Sequence, residues 1–443
     1  MFMLTIAYFA NEFPSAVEPY VLDEIRELRS RGIKVVAGSA RKADLAPVLA
    51  VGIAPEHYMC LQPLKAVLLL RAIWLLLRHW RQMSDLPARV LLRGKETPKQ
   101  RLAAIVHTLL GGYYAALLQK ERVSHIHVHH GYFGSWIAMV AARVLKIDFS
   151  LTLHGSDLLL AAPYLDIKLK SCAVCFTISD YNRRYILQRY PYFDTNKLIV
   201  TRLGVTVPEL TPVQKTTPTQ RLKLLAVGRL NAVKDHAFLV RACAQLRDEG
   251  IDVDCDIAGE GPERRRLEVL IRELALQKQV TLLGHIAAQH IAAVYDRADV
   301  IVLTSRSEGL PLVLMEAMAR AKIVLAPAIT ALPEIVIPGK TGFLYAPGAL
   351  DDFVWKIAAI QKLRSHENNR GRRTLAWVRH AARIQVAHNF NATKNLAYFV
   401  DQLTFRIATP EFFLSAAANS AQRIPPRRAS VAQLYEKELD QPA

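Results

Sequence analysis

The sequence predicts an α/β protein of two doubly wound parallel-sheet halves, and three observations lead to that class. Short apolar runs alternate with amphipathic helical stretches through most of the 443 residues, which is the pattern of βαβ units. A segment rich in Pro, Thr and Gln, 207–223, separates two such series and is interpreted as an interdomain linker. With 51% hydrophobic residues, each half can bury a substantial core.

The candidate strands are short apolar runs, and the candidate helices lie between them. In the first half the predicted strands are 4–10, 34–40, 125–130, 149–155, 172–179 and 197–204. In the second half they are 222–228, 252–259, 280–284, 299–305 and 322–328. The predicted helices include 20–32, 135–146, 236–250, 262–277 and 310–321. Residues 409–443, rich in Ala, Ser, Pro and mixed charge, are expected to form a weakly ordered tail.

The chain is strongly basic, with a formal net charge of +18 and a pI near 9.7. Charge alone suits nucleic acid, an anionic membrane surface or phosphorylated substrates. Residues 62–122 hold eleven Lys or Arg against three Asp or Glu. Within them, 62–83 predicts a basic apolar helix that is too interrupted by charge to span a membrane. It fits an interfacial helix on anionic lipid, and the alternative is a helix packed on the N-terminal sheet with a solvated basic edge.

Two further features bear on compartment and on metal or redox chemistry. The opening MFMLTIAYFANEFP lacks the elements of a secretory signal, so we expect a buried first strand and a cytoplasmic protein. Five scattered cysteines argue for a reducing compartment, and the pair Cys172 and Cys175 has no second pair nearby to complete a zinc site, which favours a structural role. His125, His127 and His129 would share one strand face, where packing or substrate contact is favoured over a metal.

The stretch SEGLPLVLMEAMA places two carboxylates, Glu308 and Glu316, at the start of a predicted helix. The strand 299–305 ends before it, and Pro311 suits a first helical turn. Because ligands lie beyond the carboxyl ends of strands in an open α/β sheet, both carboxylates are expected to face one crevice and to hold sugar hydroxyls. The alternative is an N-cap glutamate followed by a buried helical glutamate.

The stretch LLAVGRLNAVKD repeats this arrangement with cations. It ends a strand and provides Gly228 for a tight turn, Arg229, and Lys234 at the mouth of the next helix. Two cations beside a helix N-terminus form a cradle for a diphosphate and neutralise the charge that grows on it as it departs. No Asp-rich motif for a divalent metal accompanies them. Two exposed surface cations remain the alternative interpretation.

On these motifs the chain resembles the retaining family-4 glycosyltransferases, which have two facing Rossmann-like domains in the GT-B architecture. SEGLPLVLMEAMA is similar to the paired-glutamate motif of that family and VGRLNAVKD to its phosphate-binding motif. IAGEGPERRRLE, VTLLGHI and LPEIVIPGKTGFLYAPG match the elements that follow, and HIHVHHGYFG and LTLHGSDL match the acceptor domain. The resemblance implies an acceptor-binding domain at 1–206, a donor domain at 224–388, and a helix at 389–408 that returns to the first domain.

The resemblance also implies roles for individual residues. Arg229 and Lys234 would hold the diphosphate of a UDP- or GDP-sugar, and Glu316 would take the ribose hydroxyls. The transferred sugar would be held by Glu308 and by the amides of Gly309 and Leu310. His154 would reach both the sugar and the phosphate side from the N-terminal domain. The amide of Ile286 would read the base edge. No metal or other cofactor is implied. Where the family has Gly-Gly after a strand, this chain has Thr330 and Ala331, so that loop is expected to be stiffer and bulkier.

Three classes of function follow from these observations. The first is a retaining, metal-independent glycosyltransferase that moves a sugar onto a glycan or lipid-linked acceptor in cell-surface polysaccharide synthesis, peripheral on the inner face of the cell membrane. The second is a sugar-nucleotide epimerase of the same fold, since no pyridoxal-lysine motif supports a phosphorylase. The third is a non-catalytic basic protein that binds membrane. Nucleic acid is not expected, because no recognition helix, zinc finger or aromatic RNA-binding motif accompanies the charge.

Overall fold

The computed structural model of the protein describes residues 4–15, 18–41, 58–159, 162–209, 221–365 and 369–408. Most of the predicted linker (210–220) and the predicted tail (409–443) lie outside the described residues. The chain up to Asp401 forms one compact unit, and a second unit begins at Gln402. The predicted division at 207–223 falls inside the first unit, and the predicted domain boundaries stay predictions.

The described residues form two separate parallel sheets, and this confirms the predicted fold class. The first sheet has seven strands in the order β3-β2-β1-β4-β5-β6-β7. Its strands are β1 Thr5–Glu12, β2 Lys34–Arg41, β3 Tyr58–Cys60, β4 His125–His129, β5 Asp148–Leu153, β6 Val174–Thr177 and β7 Leu198–Val200. We call this sheet and its helices the N-terminal lobe.

The second sheet has six strands in the order β10-β9-β8-β11-β12-β13. Its strands are β8 Leu222–Val227, β9 Val253–Ala258, β10 Val280–Gly284, β11 Val300–Val302, β12 Ile323–Pro327 and β13 Phe343–Tyr345. The strands β11 and β12 are buried along their whole length, as expected for a sheet with helices on both faces. We call this sheet and its helices the C-terminal lobe.

Helices connect the strands in both lobes. Those of the N-terminal lobe are α1 Pro19–Ser30, α2 Ala66–Arg78, α3 Pro98–Leu118, α4 Phe133–Leu145, α5 Ser156–Leu159, α6 Leu165–Ser171 and α7 Asp180–Arg189. Those that follow are α8 His236–Asp248, α9 Arg264–Glu273, α10 Ala288–Arg297, α11 Leu312–Ala319, α12 Leu332–Ile335, α13 Leu350–Arg364, α14 Asn369–Asn389 and α15 Ala392–Ala408. Short helical turns at Trp80–Met83, Asp85–Pro87 and Ala88–Leu92 lie between α2 and α3.

The strand order of each sheet reverses once, and this reversal positions the site. In the N-terminal lobe the chain moves outward from β1 on one side and from β4 on the other; in the C-terminal lobe it does so from β8 and β11. At such a switch point the two following loops separate and leave a crevice beyond the carboxyl ends of the strands. The loops after β8 and β11 carry the two motifs singled out in the sequence.

Several contacts join the two lobes within the first compact unit, and three of them bear on the site or on the return of the chain. The Cα of Gly309 lies 3.2 Å from the position that a Cβ on Gly155 would take. The carboxylate of Glu334 in α12 accepts hydrogen bonds from the amides of Asp180 (3.0 Å) and Tyr181 (2.5 Å), and so caps the N-terminus of α7 from the other lobe. The ring of Phe399 packs edge-on against Phe176 of β6, which brings the first part of α15 back to the first sheet.

The structure differs from the predicted elements mainly at their ends. The predicted strands 197–204 and 299–305 are only three residues long, because the residues after Val200 and Val302 leave the ladder to form connections. The sequence pattern does not predict β3 or β13, each of which has three residues. The predicted helix 62–83 ends at Arg78. Pro311 is the residue before α11 rather than a member of its first turn.

Candidate active site

The loops after β8 and β11 bring Lys234 and Glu308 together at the switch point of the second sheet. The Nζ of Lys234 lies 2.6 Å from Oε1 of Glu308, and the two side chains are 22% and 10% exposed. The backbone beneath them is tied across the switch point, because the hydroxyl of Thr304 donates to the carbonyl of Lys234 (2.9 Å) and the amide of Arg306 donates to that of Val233 (2.8 Å). An ammonium and a carboxylate are therefore held side by side, mostly out of water.

The turn that carries Lys234 is shaped by close backbone approach. A Cβ on Gly259, which follows β9, would lie 1.9 Å from the carbonyl oxygen of Gly228, so no other residue fits there without moving the turn. The amide of Gly228 donates to the carbonyl of Ala258, and Asp235 caps α8 by accepting from the amide of Phe238. The N-terminus of α8 thus opens next to Lys234.

Arg229 lies in the same turn but is not brought to a carboxylate. Its side chain is exposed, and within the described residues no acidic group pairs with it. Lys234, five residues on, is occupied by Glu308. Of the two residues predicted to bind the diphosphate, Arg229 therefore has no acidic partner within the described residues. Lys234 forms an ion pair with Glu308, the residue predicted to bind the sugar.

The loop of Glu308 lies directly against the N-terminal lobe. A Cβ on Gly309 would come within 2.4 Å of the carbonyl oxygen of His154, so only glycine allows this contact. Within the described residues no protein acceptor takes a hydrogen bond from the amides of Gly309 or Leu310. The side chain of Leu310 is buried in the core. The structure thus places the loop of Glu308, Gly309 and Leu310 against the backbone of His154. The roles predicted for these residues stay predictions.

Glu316 lies in the second turn of α11 and is bonded to an aromatic residue that the sequence does not indicate. The hydroxyl of Tyr295 in α10 donates to Oε2 of Glu316 at 2.8 Å. Burial, together with the adjacent carboxylate, raises the pKa of Tyr295 above its ordinary value. Glu316 is partly buried.

Ile286 follows β10, the strand at one lateral edge of the second sheet. Glu308 follows β11, which lies in the other direction from β8. Its side chain is half-buried and packs against the core that contains Leu225 and Leu303. Its amide donates to no acceptor within the described residues, which leaves it available to a ligand. The edge position of β10 separates Ile286 from the Lys234 and Glu308 pair by the strands β9 and β8.

Thr330 replaces an expected glycine and adopts a conformation that favours glycine. Its φ is +46°, in the left-handed region that a β-branched residue rarely occupies. The Thr330 hydroxyl donates to the carbonyl of Glu308 at 2.8 Å. Ala331 beside it is fully buried. The departure from Gly-Gly therefore adds a side-chain hydrogen bond that ties this loop to the loop of Glu308.

On the N-terminal lobe, His154 belongs to a network of buried polar side chains. Its Nε2 lies 2.9 Å from Nδ1 of His129, and its ring stacks on Tyr20 with centroids 4.9 Å apart. Burial, and then the neighbouring imidazoles, lowers the pKa of His154 well below its ordinary value. The Nε2 of His129 is in turn 2.9 Å from Oε2 of Glu24 in α1. Sequence reasoning missed Glu24, because its histidine partner lies more than a hundred residues away in the chain.

A second pair lies beside this network. The Nε2 of His130 donates to Oε1 of Glu18 at 2.8 Å, and its Nδ1 lies 3.8 Å from Oδ2 of Asp157. Burial alone would lower the pKa of His130, but the hydrogen bond to Glu18 and the charges of Asp157 and Glu18 leave it raised. The crevice face of the N-terminal lobe thus combines a neutral His154 with a His130 that holds its proton more tightly.

The three strand histidines share a face, as predicted, and each has polar partners. His125 and His127 both reach the hydroxyl of Ser150, at 2.8 and 2.7 Å. His127 also receives a hydrogen bond from Thr152 at 3.2 Å. The ligand atoms of Glu24, His127 and His129 lie within 4.8 Å of one another, so they have the spacing of a metal site. Hydrogen bonds satisfy both nitrogens of His127 and His129 without an ion.

The CxxC pair is buried in the N-terminal core. Both thiols are free and fully enclosed, and burial raises the pKa of Cys172 to about 12 and that of Cys175 as well. The Sγ of Cys172 donates to the carbonyl of Leu169. Because a redox or metal-binding thiol must ionise, this environment favours the structural role predicted from the sequence.

Two parallel sheets, with a cation–carboxylate pair at the switch point of the second, define a class of two-lobed α/β proteins. Comparison with known families identifies the C-terminal lobe more closely. Residues 209–377 match the family model described as "Glycosyl transferases group 1". This part of the chain is therefore similar to that family.

The chain spans about half the length of the curated relatives described next. A protein of Escherichia coli K12 that carries the name colanic acid biosynthesis glycosyltransferase WcaL is 32% identical over 201 residues, which cover 44% of this chain and 48% of the relative. Amylovoran biosynthesis glycosyltransferase AmsK of Erwinia amylovora is 29% identical over 216 residues, or 47% of this chain and 51% of the relative.

Solved structures share the fold over nearly the whole chain. Sucrose-phosphate synthase of Thermosynechococcus elongatus has a TM-score of 0.67 with 21% identity, and covers 92% of this chain and 100% of its own. HepE of Anabaena, solved in complex with UDP and glucose, has a TM-score of 0.62 with 17% identity and covers 90% of this chain and 99% of its own. These likenesses agree with the two-sheet architecture observed here.

Proposed function

We propose that the protein is a retaining, metal-independent glycosyltransferase that uses a UDP- or GDP-sugar as donor. The observation that carries the proposal is the pairing of Lys234 with Glu308 next to a contact between the lobes, where Gly309 lies against the backbone carbonyl of His154. A cation for the diphosphate, a carboxylate for the sugar and a histidine from the acceptor lobe are the parts that this chemistry requires.

In this proposal the ion pair between Lys234 and Glu308 is the resting state of the site. An incoming diphosphate takes the ammonium of Lys234 and the free guanidinium of Arg229, and this releases Glu308 to accept hydrogen bonds from the sugar hydroxyls. The unoccupied amides of Gly309 and Leu310 donate to the same sugar. Charge that develops on the departing phosphate is then met by cations already in place.

The nucleoside is proposed to lie along the sheet edge. Glu316, already the acceptor of one hydrogen bond from Tyr295, has a second oxygen for ribose hydroxyls. The free amide of Ile286 would read the base edge. The structure of HepE with UDP and glucose supports a nucleotide in this fold. The names of the relatives support an acceptor in exopolysaccharide synthesis, which we propose to be a glycan or a lipid-linked glycan.

Turnover of nucleotide-sugars tests this proposal. In the presence of EDTA, the full chain with an acceptor extract should release UDP or GDP from its donor, and the product should keep the anomeric configuration by ¹H NMR. Lys234→Met and Glu308→Gln should each lower kcat by about 10²–10³, the effect of removing one preorganised charged partner. Lys278→Met and Glu268→Gln, exposed changes in the same lobe, should leave turnover unchanged.

The same assay separates the alternatives. An epimerase would return a nucleotide-sugar with altered sugar configuration instead of transferring the sugar, and a non-catalytic protein would leave every donor intact. Either result contradicts the proposal, as would full turnover in both Lys234→Met and Glu308→Gln.

We further propose that the protein works on the inner face of the cell membrane, held there by a basic apolar surface on the N-terminal lobe. In α2 only Ala72 and Leu75 are buried. The exposed apolar side chains of this surface are Leu64, Val67, Leu70, Ile73, Trp74, Leu77, Trp80, Leu91, Leu92, Leu102, Ile105 and Val106. So large an apolar area at the protein surface indicates an interaction site.

Charge favours an anionic bilayer as the partner of this surface. The exposed cations of the same segments are Lys65, Arg71, Arg78, Arg81, Arg93, Lys95 and Lys99. The two acidic residues between 62 and 106 are neutralised, since Asp85 pairs with Arg143 and Glu96 with Arg89. A surface of Leu and Trp flanked by unopposed cations is typical of interfacial helices on anionic lipid.

Helix α3 contributes to this surface without the need to span. Among the described residues it is the one helix long and apolar enough to cross a membrane. Its residues 111–116 are buried inside the lobe, where a Cβ on Gly111 would meet Val140 of α4. Its N-terminal half carries the exposed Leu102, Ile105 and Val106.

Vesicle sedimentation tests this docking. The protein should bind vesicles of phosphatidylglycerol and phosphatidylcholine, and high salt should release it. Trp74→Glu should abolish binding, whereas Trp355→Glu, an equally exposed tryptophan of the C-terminal lobe, should not. Removing Arg78 and Arg81 together should weaken binding roughly 30-fold at low salt, since each cation contributes ~1 kcal/mol. Equal loss in Trp74→Glu and Trp355→Glu would contradict the assignment.

A further inference from the structure

A chain of three hydrogen-bonded groups runs from α1 to the crevice face of the N-terminal lobe. Oε2 of Glu24 lies 2.9 Å from Nε2 of His129, and Nδ1 of His129 lies 2.9 Å from Nε2 of His154. All three residues are at least nine-tenths buried. Tyr8 adds a second contact, because its hydroxyl donates to Glu24 and lies 2.9 Å from Nε2 of His129.

The direction of each hydrogen bond in this chain follows from the carboxylate. A carboxylate accepts, and the single proton of the Tyr8 hydroxyl is directed at Glu24. Both neighbours of His129 Nε2 are therefore acceptors, so Nε2 carries a proton. With Nδ1 of His129 as the acceptor, Nε2 of His154 is the donor in the hydrogen bond that joins the two rings.

His154 is left with one unprotonated nitrogen. Burial keeps its ring neutral, because it lowers the pKa well below the ordinary value, and its only proton is given to His129. Nδ1 has no partner within the described residues and is not among the fully enclosed unpaired polar atoms. The backbone carbonyl of the same residue faces Gly309, so His154 stands at the contact between the lobes.

We propose that Glu24 and His129 are positioning residues that hold His154 in the tautomer whose Nδ1 accepts a hydrogen bond from a sugar hydroxyl. This inference rests on the proposed glycosyl transfer and narrows the role of His154. A neutral imidazole with its proton committed to His129 cannot donate to a phosphate oxygen, so His154 recognises the sugar and not the diphosphate.

The tautomer is observable without any substrate. In protein labelled with ¹⁵N-histidine, the signals lost in His154→Gln and His129→Gln assign the two rings. The wild type should show His154 protonated at Nε2 and unprotonated at Nδ1. In Glu24→Gln the amide donates to His129 Nε2, so the chain reverses and His154 should carry its proton on Nδ1. The same tautomer in both proteins would overturn the proposal.

Ligand binding supplies the functional readout. Glu24→Gln should weaken binding of the donor nucleotide-sugar and lower kcat roughly 10- to 100-fold, the size expected when one enclosed hydrogen bond faces the wrong way. Its affinity for UDP or GDP alone should match the wild type. An equal loss of affinity for the free nucleotide would show a general disturbance of the site and contradict the sugar-specific role.

Ser150→Ala is the matched control. Ser150 is buried in the same sheet and bonds His125 and His127, but not the chain from Glu24 to His154. It should leave both the His154 tautomer and sugar-nucleotide affinity unchanged, and circular dichroism should show all variants folded. Stoichiometric zinc bound by the purified protein and lost in His129→Gln would overturn the proposal, because Glu24 and His129 would then be ligands.

The tautomer experiment also separates this inference from the proposed function. If no nucleotide-sugar binds the wild type, the proposed function fails, whereas the NMR result still shows whether Glu24 sets the state of His154. If donors bind and turn over but Glu24→Gln changes neither the tautomer of His154 nor the affinity for the donor, only the positioning role of Glu24 and His129 fails.

Discussion

The two lobes build their halves of the site in different ways. In the C-terminal lobe, Lys234 and Glu308 lie on loops that immediately follow strands, and each loop is a short continuous motif. In the N-terminal lobe, His154 depends on Glu24 and His129, which come from different elements and are buried together. The comparison shows that a site made of loop residues and backbone amides can be predicted from short stretches of sequence. A site made of a buried network depends on packing between residues that are distant in the chain.

Among the changes that test this comparison, the largest expected effect concerns the point where the two halves touch. In Gly309→Ala the new Cβ would lie 2.4 Å from the carbonyl oxygen of His154, so the loop of Glu308 must move away from the N-terminal lobe. We expect turnover to fall by about 10², because a displacement of the order of 1 Å at a reacting centre has that cost. The measurement is kcat with the donor identified by the nucleotide-sugar assay.

Gly348→Ala is the control for this change. Gly348 has φ +74°, and no atom lies within 4 Å of the position that its Cβ would take, so the substitution strains the backbone without touching the site. It should lower the melting temperature and keep kcat. A Gly309→Ala protein with wild-type kcat would show that the contact between the lobes is not needed for turnover.

A smaller effect concerns stability, which should depend on pH more strongly in the N-terminal lobe than in the C-terminal lobe. Burial lowers the pKa of His125 to about 3 and that of His107 to about 4, and those of His127 and His154 are lowered as well. The unfolded chain therefore binds more protons than the folded one below about pH 6.5, so stability falls as the pH falls. His125 alone contributes a loss of about 2 kcal/mol between pH 7 and pH 5.

His130 acts in the opposite direction. Its raised pKa adds stability below the unfolded-state pKa, and this stability is lost as the pH rises through the folded-state value. With His79, five histidines of the N-terminal lobe have a lowered pKa and one has a raised pKa, whereas in the C-terminal lobe the pKa of His236 is lowered. Hydrogen exchange should therefore show N-terminal-lobe amides opening more readily at pH 5 than at pH 7, and by more than those of the C-terminal lobe. His125→Gln should reduce that change. An equal pH response in both lobes would contradict the comparison.

Much of the fold and of the C-terminal site could be predicted from the sequence. Parallel strands are short apolar runs, so β10 at Val280–Gly284 has the predicted bounds, and most others shift only at their ends. The proximity of Glu308 to Lys234 follows from the rule that loops at a switch point share a crevice. These are consequences of local pattern and of parallel topology.

Other features could not be predicted, for physical reasons. Three-residue strands such as β3 and β13 are too short for a periodic pattern. The bond from Tyr295 to Glu316 and the bond from Glu24 to His129 join residues that are distant in the chain, and nothing local marks either partner. Threonine is unfavourable at position 330 because of its positive φ, but its hydroxyl donates a hydrogen bond to the Glu308 carbonyl. The sequence alone does not indicate this contact.

The most direct test of the account is a crystal structure of the protein with UDP or GDP bound. The account predicts a diphosphate oxygen at hydrogen-bond distance, about 3 Å, from Lys234 Nζ, with Arg229 turned onto the same group and Glu316 at the ribose. Glu308 would then have left Lys234. A nucleotide bound elsewhere, or a diphosphate that leaves the ion pair between Lys234 and Glu308 intact, would contradict it.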